Sequence, residues 1–208
     1  MLAEVRPVTS VIYFSKTQCR RLLDIALALA LLIALVWAML AVAVLIACES
    51  PGSVFFVQQR LGRHRRPFNC MKFRTMYVDA ERDSGPVWAT RMDPRVTRIG
   101  RVLRRTRLDE LPQLFNVLRG DMAIVGPRPI RRHFADQLSA LDRRFERRFE
   151  VKPGLTGWAQ VSLDYPSTVD AQLQKLDYDL FYIDHKSIWF DFRIMMLTFG
   201  AILIRRGA

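Results

Sequence analysis

The residues best suited to chemistry lie in the segment Thr106-Arg107-Leu108-Asp109-Glu110-Leu111-Pro112-Gln113-Leu114. Its two adjacent carboxylates, Asp109 and Glu110, belong to a chain of net charge +12. A carboxylate can attack phosphorus and form an acyl phosphate. It can equally hold Mg²⁺, which takes one or two carboxylates together with phosphate oxygens of a substrate. Consecutive helical residues diverge by about 100°, so such a pair divides labour rather than acting from one face. Alone, an Asp-Glu pair more often does no more than complement a helix dipole. The surroundings shift that balance: Arg104, Arg105 and Arg107 lie just upstream, and Arg128 follows on a rigid Gly126-Pro127-Arg128-Pro129 turn. Planar guanidinium groups suit bidentate phosphate contacts. His64, His133 and His185 are isolated and show no metal-ligand spacing.

The elements that must position these groups follow from local chemistry. Pro112 lacks a backbone donor and fits the first turn of a helix, which runs to about Arg119 and stops at Gly120. Asp109 and Glu110 therefore fall at or just before a helix N-terminus, where anions are favoured. Upstream, Arg98 to Arg107 reads as a basic amphipathic helix with Ile99, Val102 and Leu103 inward. Val54 to Val57 reads as a short strand, Gln58 to Pro67 as a basic loop, and Phe68 to Met76 as an extended segment carrying Lys72 and Arg74. Asp79 to Asp93 reads as a polar surface loop and His133 to Val151 as one charged helix. Lys152-Pro153-Gly154-Leu155-Thr156-Gly157-Trp158 is a second Gly/Pro turn, this one with an aromatic. Ile188 to Ile204 is apolar but broken by Asp191 and Arg193, which suits a helix lying in a membrane interface, with a buried core helix as the alternative.

A chain of 208 residues supports one compact domain plus a membrane element. The uncharged run Ile25 to Cys48 holds 24 residues, roughly 36 Å as a helix against about 30 Å of bilayer hydrocarbon. Basic residues flank it on both sides: Lys16, Arg20 and Arg21 before, Arg60, Arg63, Arg65 and Arg66 after. Both flanks then favour the cytoplasmic face, as a re-entrant helix would allow, yet no Pro or Gly lies within the run to turn it. Residues alone leave re-entrant and spanning arrangements balanced. Arg6, Lys16, Arg20 and Arg21 against Glu4 and Asp24 account for +2, so +10 of the +12 belongs to the body. That excess suits an anionic membrane surface or phosphorylated substrates. Nucleic acid is disfavoured, because no zinc-knuckle or aromatic RNA-binding motif is present. Cys19, Cys48 and Cys70 are odd in number and scattered, as in reduced thiols near the cytoplasm.

Several further blocks, in order, carry a resemblance. They are Ser50-Pro51-Gly52-Ser53-Val54-Phe55-Phe56, Lys72-Phe73-Arg74-Thr75-Met76, Leu108 to Leu114, Asn116-Val117-Leu118-Arg119-Gly120-Asp121-Met122, Val125 to Pro129 and Lys152 to Trp158. With them the chain resembles the bacterial sugar transferases known as monotopic phosphoglycosyl transferases, from Arg20 almost to its end. The resemblance implies transfer of a sugar-1-phosphate from a nucleotide sugar, a UDP-sugar by family expectation, to polyprenyl phosphate, with release of nucleoside monophosphate. It implies Asp109 as covalent nucleophile, Glu110 as its Mg²⁺-positioning neighbour, and Mg²⁺ held by Asp109 and Glu110. It places Arg104 near the lipid phosphate and Arg128 at a substrate phosphate, with Lys72 and Arg74 at the phosphate rim or structural. Lys152 and Trp158 fall where nucleotide-sugar contacts are expected.

The fold class expected is α+β: a mainly helical monotopic membrane protein with short strands and interfacial amphipathic helices. Residues 1–21 form a basic tail, 22–49 a membrane-inserted helix, and 50–208 a catalytic domain on the cytoplasmic face of the bacterial inner membrane. One departure stands out. Family members break the membrane helix with Ser-Pro near its middle, where this chain has Leu35-Val36-Trp37-Ala38. The family pattern still favours a re-entrant helix. The expected partners are the nucleotide sugar, polyprenyl phosphate and inner-membrane lipids, with a homodimer left open. The chain resembles the family's minimal catalytic unit, of the exopolysaccharide-initiating type. Two competing readings are a membrane-bound glycosyltransferase releasing nucleoside diphosphate and a non-catalytic basic membrane scaffold.

Overall fold

The computed structural model describes residues 9–80, 82, 85, 93–163 and 169–203, with the backbone alone for 9–16, 169–170 and 202–203. Most of the Asp79 to Asp93 loop, the first eight residues and the terminal Arg205-Arg206-Gly207 lie outside the described residues. The described chain is mainly helical with four short strands, an α+β arrangement.

Helix α1 runs from Thr9 to Glu49 without interruption. Leu and Ala, strong helix formers, dominate it, and no Gly or Pro breaks it before Ser50-Pro51-Gly52. The helix therefore begins inside the stretch read from sequence as a basic tail. Arg20, Arg21 and Asp24 do not flank the body loosely but bind it. Arg20 pairs with Asp191 at 2.6 Å, Arg21 donates to the carbonyls of Val117 and Leu118 at 2.6 and 2.7 Å, and Asp24 accepts from the Ile124 amide at 3.0 Å. The segment Thr17–Glu49 is long and apolar enough to cross a membrane.

One seam of α1 is buried or half-buried along this whole length: Arg20, Asp24, Ala28, Leu32, Leu35, Met39, Val42, Ile46 and Glu49. The spacing of three and four residues is that of a helix packed along one face. The opposite faces are apolar and exposed; Trp37 is 79% exposed. α1 thus contributes to both cores of the body. Ala28 joins Leu114, Val117, Met122, Phe145, Leu176 and Ile194 in the larger one. Val42 and Ile46 join Phe73 and Leu103 in the smaller.

After α1, strands β1 (Phe55–Leu61) and β2 (Pro67–Phe73) form an antiparallel hairpin in which Phe55 faces Phe73 and Gln58 faces Cys70. Helix α2 (Arg98–Thr106) and the seven-residue α3 (Gln113–Arg119) follow. Leu103 is buried and Ile99 packs partly inward, but Val102 is 60% exposed, against the sequence expectation. On a helix, Ile99 and Leu103 share a face four residues apart, and Val102 is turned away by about 100°.

Two three-residue strands, β3 (Ala123–Val125) and β4 (Gly154–Thr156), pair in parallel. β3 immediately precedes the Gly126–Pro129 turn, and β4 lies inside the Lys152–Trp158 block read from sequence as a turn. The charged segment read as one helix is two elements: α4 (Arg132–Leu141) and a 3-10 stretch, Arg143–Glu150. Asp142 divides them with extended backbone, its carboxylate accepting from the Arg144 amide at 2.8 Å. The chain ends in α5 (Trp158–Ser162), α6 (Val169–His185) and α7 (Ile188–Leu203). Ile194 of α7 is fully buried, whereas Trp189, Phe192, Met196 and Phe199 are exposed, Trp189 to 83%.

Candidate functional site

Three local features carry the acidic pair to one place. α2 ends at Arg107, whose left-handed backbone (φ 62°) reverses the chain, and a 3-10 turn, Leu108–Glu110, follows. Pro112 then opens α3 with φ −62°. Asp109 and Glu110 lie in the tight turn between two helices, each only 6% exposed.

α3 is bolted to the hairpin by Asn116. Its side-chain oxygen accepts from the Met71 amide at 3.0 Å, and its nitrogen donates to the Asn69 carbonyl at 2.7 Å. This fixes β2 beside the acidic turn and sets Lys72 over it. Lys72 Nζ lies 2.9 Å from Glu110 Oε1 and 3.9 Å from Asp109 Oδ2.

Arg128 approaches from the other side, on the loop after β3. It donates to Glu110 Oε1 at 2.5 Å and to Oε2 at 3.3 Å, a bidentate clamp. The loop itself is held at several points. Gly126 donates its amide to the Thr156 carbonyl at 2.8 Å, and Gly154 donates to the Pro127 carbonyl at 2.9 Å. A Cβ on either glycine would collide with the other segment's backbone, so only glycine permits this approach. Arg60 donates to the Pro129 carbonyl at 2.5 Å. Arg148, paired with Asp179 at 2.8 Å, donates to the Arg128 carbonyl at 3.1 Å. Arg104 reaches the site from α2, its Nε donating to Thr75 Oγ1 at 2.9 Å.

The two carboxylates are treated oppositely. Burial alone would raise Glu110, but Arg128 and Lys72 outweigh it and hold its carboxyl well below the usual range. Burial raises Asp109, and the charge of Glu110 pushes the same way, against the partial opposition of Lys72, Arg128 and Arg104. Asp109 accepts no hydrogen bond from any described residue, and its nearest cation is Lys72 at 3.9 Å. Glu110 is thus a fixed, compensated anion, while Asp109 keeps its lone pairs available beside it.

A divalent cation fits this pair. Among the described residues no group of three or more His, Cys, Asp or Glu side chains gathers as a metal site. Mg²⁺ takes few protein ligands and keeps positions for water and substrate phosphate. Both oxygens of Asp109 and the weakly engaged Oε2 of Glu110 offer acceptor sites, so Asp109 and Glu110 are the residues that would hold it.

Of the expected site residues, Asp109, Glu110, Lys72, Arg128 and Arg104 converge here. Arg74 does not. It is buried and donates to the Ser50 carbonyl at 2.7 Å, the Ser50 hydroxyl at 3.0 Å and the Pro51 carbonyl at 2.6 Å, capping the end of α1. Lys152 lies at the other end of α1, where Arg21, Asp24, Arg63 and Asp121 are its charged surroundings, and burial and Arg21 lower its pKa. Trp158 packs against Phe190 at 5.3 Å between rings, with the Arg193 guanidinium 5.8 Å from its centroid, at the joint of α5, α6 and α7. Asn116, Arg148 and Asp179 were given no role from sequence. Asn116 alone carried a signal, since asparagine inside a short helix competes with the backbone unless its amide is used elsewhere.

Comparison with known proteins places this geometry in context. The family model described as bacterial sugar transferase matches residues 15–205. The chain is 46% identical over 170 residues to a UDP-N-acetylgalactosamine-undecaprenyl-phosphate N-acetylgalactosaminephosphotransferase of Aeromonas hydrophila, covering 82% of this chain and 40% of that one. It is 42% identical over 191 residues to a UDP-glucose:undecaprenyl-phosphate glucose-1-phosphate transferase of Escherichia coli, covering 91% and 41%. A protein of the same description from Caulobacter vibrioides is 44% identical over 194 residues, covering 91% and 71%. The chain thus spans about two-fifths of the length of the first two relatives.

Proposed function

The chain belongs to the bacterial sugar transferase family, and from that premise we propose that it is a phosphoglycosyl transferase using a UDP-sugar and a polyprenyl phosphate. The relatives' named activities, on UDP-sugars and undecaprenyl phosphate, support both substrate classes. They act on different sugars, so the sugar itself is not assigned.

The observation that carries the reading is the unequal treatment of two adjacent carboxylates. Lys72 and Arg128 neutralise Glu110 and keep it ionised. Asp109, buried next to it, is left as an oxygen nucleophile. Asp109 Oδ attacks the β-phosphorus of the nucleotide sugar; a bond from oxygen to phosphorus forms, and the bond from that phosphorus to the bridging oxygen breaks. Nucleoside monophosphate leaves with the bridging oxygen. The phosphate oxygen of polyprenyl phosphate then attacks the same phosphorus, releases Asp109 and yields polyprenyl diphosphate-sugar. Lys72 and Arg128 offset charge on the donor's diphosphate, and Arg104 meets the phosphate of the lipid acceptor. Mg²⁺ at Asp109 and Glu110 would supply further neutralisation of the phosphate oxygens. Covalent capture lets one small site handle two anionic substrates in turn.

The membrane seat is read from α1 and α7. The seam from Arg20 to Glu49 covers 30 residues, roughly 45 Å, and rests throughout on a charged body that cannot enter hydrocarbon. A perpendicular span would leave that body at one end only. Contact at both ends supports a monotopic, re-entrant or in-plane helix with both termini on the cytoplasmic face of the inner membrane. The exposed aromatic side of α7 lies in the same interface.

The test is incubation with a panel of radiolabelled nucleotide sugars, polyprenyl phosphate and Mg²⁺. Nucleoside monophosphate and a lipid-linked sugar are expected. Release of nucleoside diphosphate would replace this reading with simple glycosyl transfer, and no release from any donor would remove the catalytic reading.

A further inference from the structure

We infer that Thr75 is a positioning residue for the acceptor half of the reaction, its hydroxyl fixing the Arg104 guanidinium where the lipid phosphate arrives. The inference rests on the reading of Arg104 given above.

Thr75 is buried where three elements meet. Its hydroxyl oxygen accepts from Arg104 Nε at 2.9 Å. Its carbonyl accepts from the Thr97 amide at 3.0 Å. The backbone of Gly100 presses on that same carbonyl so closely that a Cβ there would overlap the oxygen. α2 therefore cannot slide without displacing Thr75. The start of α2 is tied twice more: Thr97 Oγ1 accepts from the Gly100 amide at 2.9 Å, and Glu49, the last residue of α1, accepts from the Ile99 amide at 3.0 Å. The neighbouring Arg74 binds the Ser50 carbonyl. Thr75 thus stands at the junction of the membrane helix, the exit of β2 and the arginine-bearing helix.

Occupying Nε leaves the two terminal nitrogens of Arg104 as a fork, and neither donates to an acceptor among the described residues. A fork held by its Nε presents two parallel donors, the geometry that suits phosphate. Thr75 touches no reacting atom in this scheme; it acts through Arg104.

The experiment uses the full chain in detergent or nanodiscs with polyprenyl phosphate and a UDP-sugar that the wild type accepts. Two readouts are separated: nucleoside monophosphate release in single turnover without lipid, and the KM for polyprenyl phosphate in the full reaction. Thr75→Val keeps the shape and removes the acceptor oxygen. It should raise the lipid KM about tenfold with the donor half-reaction and melting temperature unchanged. Thr75→Ser should restore the wild-type KM, and Thr75→Val should add nothing in an Arg104→Gln background. If Arg104→Gln raises the lipid KM and Thr75→Val does not, the role of Thr75 is overturned while Arg104 stands. If neither moves it and the donor half-reaction persists, the Arg104 reading falls and takes this one with it. Equal loss of both half-reactions in Thr75→Val, with a lowered melting temperature, would make Thr75 merely structural and overturn the inference.

Discussion

Arg148 donates to the main-chain carbonyl of Arg128 at 3.1 Å, so the guanidinium that clamps Glu110 is held from behind. Arg148 is itself fixed by Asp179 at 2.8 Å, and both side chains are almost wholly buried. Removing one partner of a buried pair leaves the other charge uncompensated and costs about 3–5 kcal/mol. Asp179→Ala is therefore expected to lower the thermal midpoint of the detergent-solubilised protein substantially. A midpoint within experimental error of wild type would show that the pair carries little.

Asp109→Asn should abolish the reaction, because an amide oxygen cannot form the covalent adduct. A drop of at least about 10³-fold is expected for loss of a nucleophile. Intact-protein mass spectrometry after mixing wild type with nucleotide sugar alone should show the added phosphosugar, and Asp109→Asn should not. Retention of more than a tenth of the rate in the variant would remove the nucleophile assignment.

Chelation tests the acidic pair as a cation site. Excess EDTA should stop nucleoside monophosphate release, and Mg²⁺ should restore it fully. Calorimetric titration of Mg²⁺ in the presence of nucleotide sugar should give a weaker affinity for Glu110→Gln than for wild type. Undiminished turnover in EDTA would leave the two carboxylates without a metal role.

Asp191 offers a pH test remote from the chemistry. Burial raises its carboxyl to about 6, despite Arg20 and the Tyr182 hydroxyl beside it. A raised acid binds its proton more tightly folded than unfolded. Its contribution to stability is fully present below about 4, the unfolded value, and is lost as pH rises through about 6. The melting temperature of wild type relative to Asp191→Asn should therefore fall across that window and then run level. A difference that does not vary with pH would place the Asp191 pKa elsewhere.

The ends of α1 carry their own reporters. Cys19 and Cys48 are both exposed and bracket the apolar segment. A membrane-impermeant thiol reagent added to sealed cells should label neither, and added to inverted vesicles should label both. Labelling of one cysteine from each side would mean a spanning helix.

Much of this site was legible in the residues because local chemistry fixes its parts. Pro112 and Gly120 bound α3 as their backbone preferences require, and Asp109 and Glu110 fall in the turn before it. What stayed hidden depends on distant contacts. Arg74 sits two residues from Lys72 on the same segment, yet one caps α1 and the other meets Glu110. Nothing in strand alternation separates them. The pairing of β3 with β4 was invisible for a related reason: three-residue strands show no alternation, β3 ends where the Gly126–Pro129 turn begins, and β4 lies inside the Lys152–Trp158 block that read as a turn. The division of the charged segment at Asp142 turned on a side-chain bond to the Arg144 amide that a helical charge pattern conceals.

The seam along α1 has a consequence for biosynthesis. In chain order α1 leaves the ribosome before every residue it packs against, and the two cores it completes are built from residues as far apart as Phe73 and Ile194. Neither core is complete without its α1 side chains. Trp37 and most of the helix's apolar surface are unburied by protein, and on the proposed membrane seat that surface lies in lipid. On that proposal, maturation of this protein is coupled to delivery to a bilayer: the same event that seats it closes its hydrophobic interior.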